Sequence, residues 1–273
     1  MSEKNFFHKV ADTLTALSKV ALCSHRSNIP ENSEPERSLI IMGNGPSLRT
    51  TISESVDCLM ANHTMAVNFA ANAPEFFMIK PRYYVLADPH FFQAMDDGNV
   101  ERLWDNLAKA DWPMTLFVPF GVKLPDRFGG TVVRFNAVGV DASPSLERIL
   151  FNTRRAMPRP RNVLIPSIML GVWMNYRRIF IVGADHSWMQ TINVNSDNQV
   201  VSVQPHFYKE PEKEQSRVNS EYAGYHLHQI IQSFYVAFNA YHQIARYASK
   251  RGINIFNSTP NSFIDAFPRR PLC

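Results

Sequence analysis

The chain has 273 residues, 45% of them hydrophobic, with 28 Lys plus Arg against 24 Asp plus Glu and a net charge of +4. That is enough apolar material for one large core, and the cationic excess is too small for a nucleic-acid binder. Cys23, Cys58 and Cys273 are odd in number, widely spaced and without a CxxC, so neither a disulfide framework nor a zinc cluster is expected, and a reducing cytoplasm fits.

Residues 5–23 place Phe6, Val10, Leu14, Leu17 and Ala21 at helical spacing. The segment reads as an amphipathic helix, packed on the domain or on a second copy of the chain, or lying on a membrane surface through Phe6, Phe7 and the nearby lysines. Lys19 and the Leu22-Cys23 pair do not fit a cleaved secretion signal, so the chain is read as starting near Met1. Polar, charged Ser24 to Arg37 reads as a linker. The domain division is therefore 1–37, helix and linker, and 38–273, the main domain.

The stretch Ser38 to Leu48, SLIIMGNGPSL, organises the rest. Leu39 to Met42 suits a parallel strand buried on both faces. Gly43 and Gly45 are expected to turn the backbone and admit a ligand, Pro46 to start a helix, and free N–H groups there, with Ser47 and the Asn44 amide, to hold a phosphate. A dinucleotide fingerprint lacks its third glycine, because Leu48 follows Ser47, and no Lys completes a P-loop, so NAD and P-loop ATP binding are both disfavoured.

Further strands are expected at 64–69, ending near Asn68; at 82–87, ending on Asp88-Pro89; and at 114–119, 131–135, 178–182 and 253–256. Helices are expected at 90–110, with Asp96-Asp97 on a solvated face, at 163–176 and at 225–250. The alternation predicts an α/β, Rossmann-like, mainly parallel sheet with helices on both faces. The polar run beyond His186, to about residue 223, is longer than an ordinary connection and reads as a flexible lid, at about 186–223 overall. No apolar run is long enough to span a bilayer; Val163 to Tyr176 stops at Arg177-Arg178.

Polar residues collect at the carboxyl ends of the predicted strands, the edge at which open α/β sheets bind ligands: Asn44, Asn68, Asp88, Asp185, His186 and Ser258 to Ser262. Asp185 could accept from a sugar hydroxyl, hold magnesium or cap a turn. His186 and His206 are candidate bases for an acceptor hydroxyl, with His226 and His228 weaker alternatives. Tyr208, Tyr222 and Tyr225 could donate to a departing phosphate. No Asp-x-Asp metal motif occurs, so the expectation is no metal and no cofactor.

The segments IIMGNGPSL, AVNF, YYVLADP, RIFIVGAD and TPNSF resemble, in that order, those of the bacterial sialyltransferases of glycosyltransferase family 42. The glycine loop carries most of the specificity, and a wider group of bacterial proteins and the archaeal-type hydroxymethylpterin diphosphokinases share it. The resemblance implies metal-independent, inverting transfer from CMP-sialic acid with a histidine base, and CMP contacts at Asn44 and Asn68. It also matches Arg161 to a substrate arginine, and His206 is the choice for the family's lid histidine. The family's third-strand asparagine is Asp88 here, and its tyrosine after Gly-x-Asp is Ser187, so the donor is left open to another CMP-activated acidic sugar. The expected partners are the CMP-sugar and a glycan acceptor, no nucleic acid, with membrane contact through 5–23 and self-association both open. The setting is cytoplasmic, at the periphery of the inner membrane if the helix binds it. Two rival readings stand: a magnesium-dependent diphosphokinase using Asp88 and Asp185, and a non-catalytic nucleotide-sugar binder.

Overall fold

The computed structural model describes residues 6–202 and 224–272. Its frame is a seven-stranded sheet. In chain order the strands are β1 (Leu39–Met42), β2 (His63–Val67), β3 (Tyr83–Val85), β4 (Thr115–Pro119), β5 (Thr131–Phe135), β8 (Arg178–Val182) and β11 (Asn254–Asn257). The short pair β6 (Gly139–Val140) and β7 (Met157–Pro158) lies outside it. The spatial order is β11-β8-β1-β2-β3-β4-β5, and every pairing is parallel. The expected α/β, Rossmann-like fold is the observed one.

Alternation along the central strands explains why both sheet faces are covered. Leu39 and Ile41 of β1, with Ile179 and Ile181 of β8, face one apolar core. Ile40, Met42, Phe180 and Val182 face the other. The first core is closed by α1 (Phe6–Cys23), α6 (Pro144–Asn152), α7 (Leu164–Trp173) and the long C-terminal helix α8 (Leu227–Ser249). The second is closed by α2 (Ser47–Ala61), α3 (Glu75–Ile79) and α5 (Gly98–Ala108). At roughly 1.5–3 kcal/mol for each buried aliphatic side chain, this two-faced burial anchors β1 and β8 at the centre of the molecule.

Several boundaries differ from expectation for local reasons. β2 stops at Val67 because Asn68 takes a left-handed φ of 51° and begins a short 3-10 turn. The helix expected at 90–110 is two, α4 (His90–Gln93) and α5, because the Asp97 carboxylate accepts from Asn99 N and caps α5. Asp97 is therefore a cap rather than part of a solvated face. Ser24 to Arg37 is fastened along the domain rather than left as a free linker. Asn136 accepts from His25 N and donates to His25 O, Arg154 donates to Ile29 O, and Glu34 pairs with Arg37, His63 and Arg82. Above it, Ala16 and Val20 of α1 are buried in the first core.

In the expected lid, residues 188–202 form a helical turn and a hairpin of β9 (Ile192–Val194) and β10 (Val200–Ser202), with Val200 packed on Ile230 and Phe234 of α8. His206, Tyr208 and Tyr222 lie outside the described residues. Cys58 is disulfide-bonded, against the expectation of reduced thiols, so the cysteines give no argument for a reducing compartment. Among the described residues no helix is long and apolar enough to cross a membrane.

Candidate functional site

The chain winds outward from β1 to β5, then returns across β1 to lay down β8 and β11. Neighbouring loops at the carboxyl ends of β1 and β8 therefore leave in opposite senses, and a crevice opens between them. Here it is a cavity of about 360 Å³ lined by the β1 loop, the ends of β2 and β3, the entry to α7 and residues 183–188.

The glycines of the β1 loop serve a different purpose from the one expected. Neither Gly43 nor Gly45 has a positive φ. A Cβ on Gly43 would lie 2.4 Å from Gly183 O, and one on Gly45 would lie 1.9 Å from Asp185 Oδ2. Their lack of a side chain lets two loops of the protein interlock. Gly43 N donates to Val182 O and Gly45 N to Gly183 O, each at 2.8 Å, and Pro46 has no N–H. The expected amide cradle for a phosphate therefore loses these two donors to Val182 at the end of β8 and to Gly183 just beyond it. Ser47 does not line the cavity; its hydroxyl donates to Asp185 Oδ2 at 2.8 Å and aims that carboxylate along the wall.

Three asparagines are among the residues that line the cavity. Asn44 Nδ2 donates to Val67 O at 3.1 Å, which fixes the amide and leaves Oδ1 buried without a partner. Asn68 is held in its left-handed turn, its backbone carbonyl accepting from Tyr84 Oη, and its Oδ1 is also buried and unpartnered. Asn162 caps α7: its Oδ1 accepts from Leu164 N, at 3.0 Å, and from Ile165 N. Its Nδ2 is the third such atom. These three are the only buried side-chain polar atoms without a partner among the described residues, and all belong to residues lining this cavity. Leaving one such group unsatisfied costs about 1–3 kcal/mol, so the arrangement is suited to a ligand that supplies the missing partners.

Behind the wall runs a buried relay. His186, at φ 53°, stacks against Trp188 with ring centroids 4.1 Å apart, and its Nε2 lies 2.6 Å from Tyr241 Oη. Tyr241 Oη donates to Asn162 Oδ1 at 3.0 Å. That oxygen already accepts two backbone N–H groups, so it cannot be the donor. The tyrosine proton therefore points to Asn162, and His186 must be the Nε2–H tautomer donating to Tyr241. Burial alone pulls the His186 pKa down to about 3 and pushes the Tyr241 phenol up. This corrects the expectation of His186 as a base. Its Nε2 is committed to Tyr241, and a ring this weakly basic is poorly matched to taking a proton near neutral pH.

No family model matches the chain, and no curated protein matches it. Among solved structures, that of the MAf glycosyltransferase from Magnetospirillum magneticum AMB-1 aligns over 99% of this chain with a TM-score of 0.53 at 12% identity. The shared feature is the fold. This chain spans 39% of that chain's length. The apo structure of FabMG, an enoyl-acyl carrier protein reductase, aligns over 89% of this chain and 67% of its own at 13% identity, but its TM-score of 0.22 is too low to establish a shared fold.

Of the residues singled out in the sequence, Gly43, Asn44, Gly45, Pro46, Asn68, Asp88, Arg161, Asp185, His186 and Ser187 all line the cavity. Asp88 sits exposed at the rim, where its Oδ1 accepts from His90 N and caps α4. Arg161, also exposed, follows Pro160 at the entry to α7. Ser262 is a correction. It is not in the lining, and its buried hydroxyl donates to Ala184 O at 2.6 Å and accepts from Asn257 and Ile264, holding the loop after β11 beneath the wall. Asn162 was missed. Its signal was a helix-capping amide immediately before an apolar run, a pattern that reads first as capping and only secondarily as a site. Among the described residues no group of three or more His, Cys, Asp or Glu could hold a metal ion.

Proposed function

We propose that the chain is a glycosyltransferase that moves sialic acid or a related acidic sugar from a CMP-sugar to a cell-surface glycan precursor. The observation that carries the reading is that Asn44, Asn68 and Asn162, whose Oδ1, Oδ1 and Nδ2 atoms are buried without partners, all line one cavity at the switch point of the sheet. Two acceptors and one donor match a nucleoside better than a bare phosphate. Ribose hydroxyls or a base amine would donate to Asn44 and Asn68, and a carbonyl or phosphate oxygen would accept from Asn162. Arg161 at the mouth supplies the positive charge that a departing monophosphate needs, so transfer proceeds with hydrogen-bond and ionic help. His206 is the proposed base, because His186 is held neutral and weakly basic. The fold shared with a glycosyltransferase is consistent with this reading.

The test is calorimetric titration with CMP, UDP and ATP, each with and without magnesium. The expected result is CMP binding that ignores magnesium and weakens about tenfold in Asn44→Ala or Asn68→Ala, the equivalent of one lost hydrogen bond of about 1.4 kcal/mol. Asp88 and Asp185 both face the cavity and favour one competing reading, a diphosphokinase. Binding of ATP only with magnesium, and none of CMP, would select it.

A further inference from the structure

The chain has four tryptophans, and three of them donate the indole N–H to a backbone carbonyl. Trp104 Nε1 donates to Phe91 O at 2.8 Å, Trp112 Nε1 to Pro81 O at 2.9 Å and Trp173 Nε1 to Phe151 O at 2.8 Å. The fourth, Trp188, is half-buried in the lining of the cavity, and among the described residues its indole N–H donates to nothing. It is not one of the buried side-chain atoms without a partner, which are the three of Asn44, Asn68 and Asn162, so Trp188 Nε1 is open to solvent.

The ring is held in place. It packs on His186, with centroids 4.1 Å apart and planes 32° from parallel, and on Phe234 of α8, at 5.6 Å and 30°. His186 is fixed in turn by its bond to Tyr241. An N–H on a ring so constrained loses little freedom when it meets an acceptor. Two further groups of the same lining, the Ser187 hydroxyl and the Arg161 guanidinium, also have no side-chain partner among the described residues. The carboxylates of the lining are each supplied with a donor, Asp185 by Ser47 and Asp88 by His90 N.

We propose that Trp188 is a ligand-binding residue of this cavity, its indole N–H donating to an acceptor oxygen on the phosphate or the transferred sugar of a nucleotide sugar, an inference that rests on the reading of the cavity as the nucleotide-sugar site. An indole N–H donates and cannot accept, so the group it meets must be an acceptor. The nucleoside end belongs, on that reading, to Asn44 and Asn68 in the loops after β1 and β2. Trp188 comes from the loop after β8, on the other side of β1, so it meets the opposite end of the ligand.

The test follows the indole N–H signals of the nitrogen-15-labelled chain during titration with CMP, CMP-sialic acid, and ATP plus magnesium. Trp188→Phe, which keeps a ring between His186 and Phe234 but removes the N–H, identifies the Trp188 signal. In the free chain that signal is expected to exchange with water fastest of the four, and at saturation with CMP or CMP-sialic acid to shift and exchange more slowly, while the other three stay in place. Trp188→Phe is expected to weaken that ligand roughly tenfold, the loss of one hydrogen bond. A response to both ligands puts the acceptor on the phosphate, and a response to CMP-sialic acid alone puts it on the sugar. A Trp188 signal that stays still under every probe, or a Trp188→Phe chain that binds as tightly as the parent, overturns the inference. A Trp188 response to ATP with magnesium alone keeps Trp188 as a ligand donor and sinks the CMP-sugar reading instead.

Discussion

Replacing Gly45 by Ala tests the interlock on which the site is built. The new Cβ would sit 1.9 Å from Asp185 Oδ2 and 2.7 Å from Gly183 O. Carbon and oxygen do not approach that closely, so the carboxylate must withdraw by about 1 Å, and the 2.8 Å bond from Ser47 Oγ must break. Overpacking costs about 1–3 kcal/mol and a hydrogen bond to a charged group is worth about 1.5–3 kcal/mol, so a total near 3 kcal/mol is expected. For a chain of this size that lowers Tm by roughly 6–12 °C. Urea denaturation and thermal melts measure it, with Gly98→Ala as the control. Gly98 opens α5, nothing lies within 4 Å of its added Cβ, and substitution there should be neutral or stabilise by up to about 1 kcal/mol. The diagnostic measurement is the double variant with Asp185→Ala. Removing the carboxylate relieves the 1.9 Å contact and leaves only Gly183 O, so the cost of Gly45→Ala should fall by about 1–2 kcal/mol in that background. An equal cost with and without Asp185, or a Gly45→Ala protein as stable as the parent, would refute the interlock.

Burial of His186 predicts acid sensitivity. Its pKa falls from 6.5 to about 3 on folding, so the unfolded chain takes up a proton that the folded one refuses, and stability present above pH 6.5 is lost as pH drops toward 3. Between pH 7 and pH 5 denaturant midpoints should report a loss of about 2 kcal/mol, and His186→Asn should remove most of that slope. Asn136→Ala should release the segment after α1. It strands His25 N, His25 O and Arg154 O, costing about 2–3 kcal/mol, and trypsin should then cut at exposed Arg26 faster than in the parent. Unchanged cleavage would mean that the segment is held by something other than Asn136.

The sheet was legible because its strands announce themselves twice, by β-rich apolar runs and by the polar residues at their carboxyl ends. LIIM, TVVRF and RIFIV fall within a residue of where they are found; for LIIM and RIFIV burial on both faces leaves no alternative, while TVVRF, half-buried at the sheet edge, is marked by its β-branched residues. The polar partners of the long-range contacts were not legible. Whether Ser262 faces a ligand or Ala184 O depends on how the loop after β11 crosses β8, and nothing in TPNSF states it. The same holds for Asn136, whose three bonds bind residues more than a hundred positions away at His25 and a nearer one at Arg154, and which turns an apparent linker into part of the domain. α6 went unassigned because it is only nine residues long, although Ser143-Pro144 and Glu147 mark a helix start.

The glycine loop shows why a motif found correctly can still be explained wrongly. Gly-Asn-Gly-Pro was expected to offer bare backbone to a phosphate. Instead the space beside its glycines is filled by Gly183 and Asp185, and two of its amides are bonded to Val182 O and Gly183 O. The consequence is chemical as well as steric. With those two donors engaged, recognition near β1 leans more on the side chains of Asn44 and Asn68 and on the carboxylate that Ser47 holds in place. Anions are better met across the cavity, by Arg161 and Asn162 Nδ2 at the head of α7. A ligand that fits this polarity carries hydroxyls or amines at one end and an anionic or carbonyl oxygen at the other. A nucleoside monophosphate has that order of groups, and inorganic phosphate or a bare diphosphate does not.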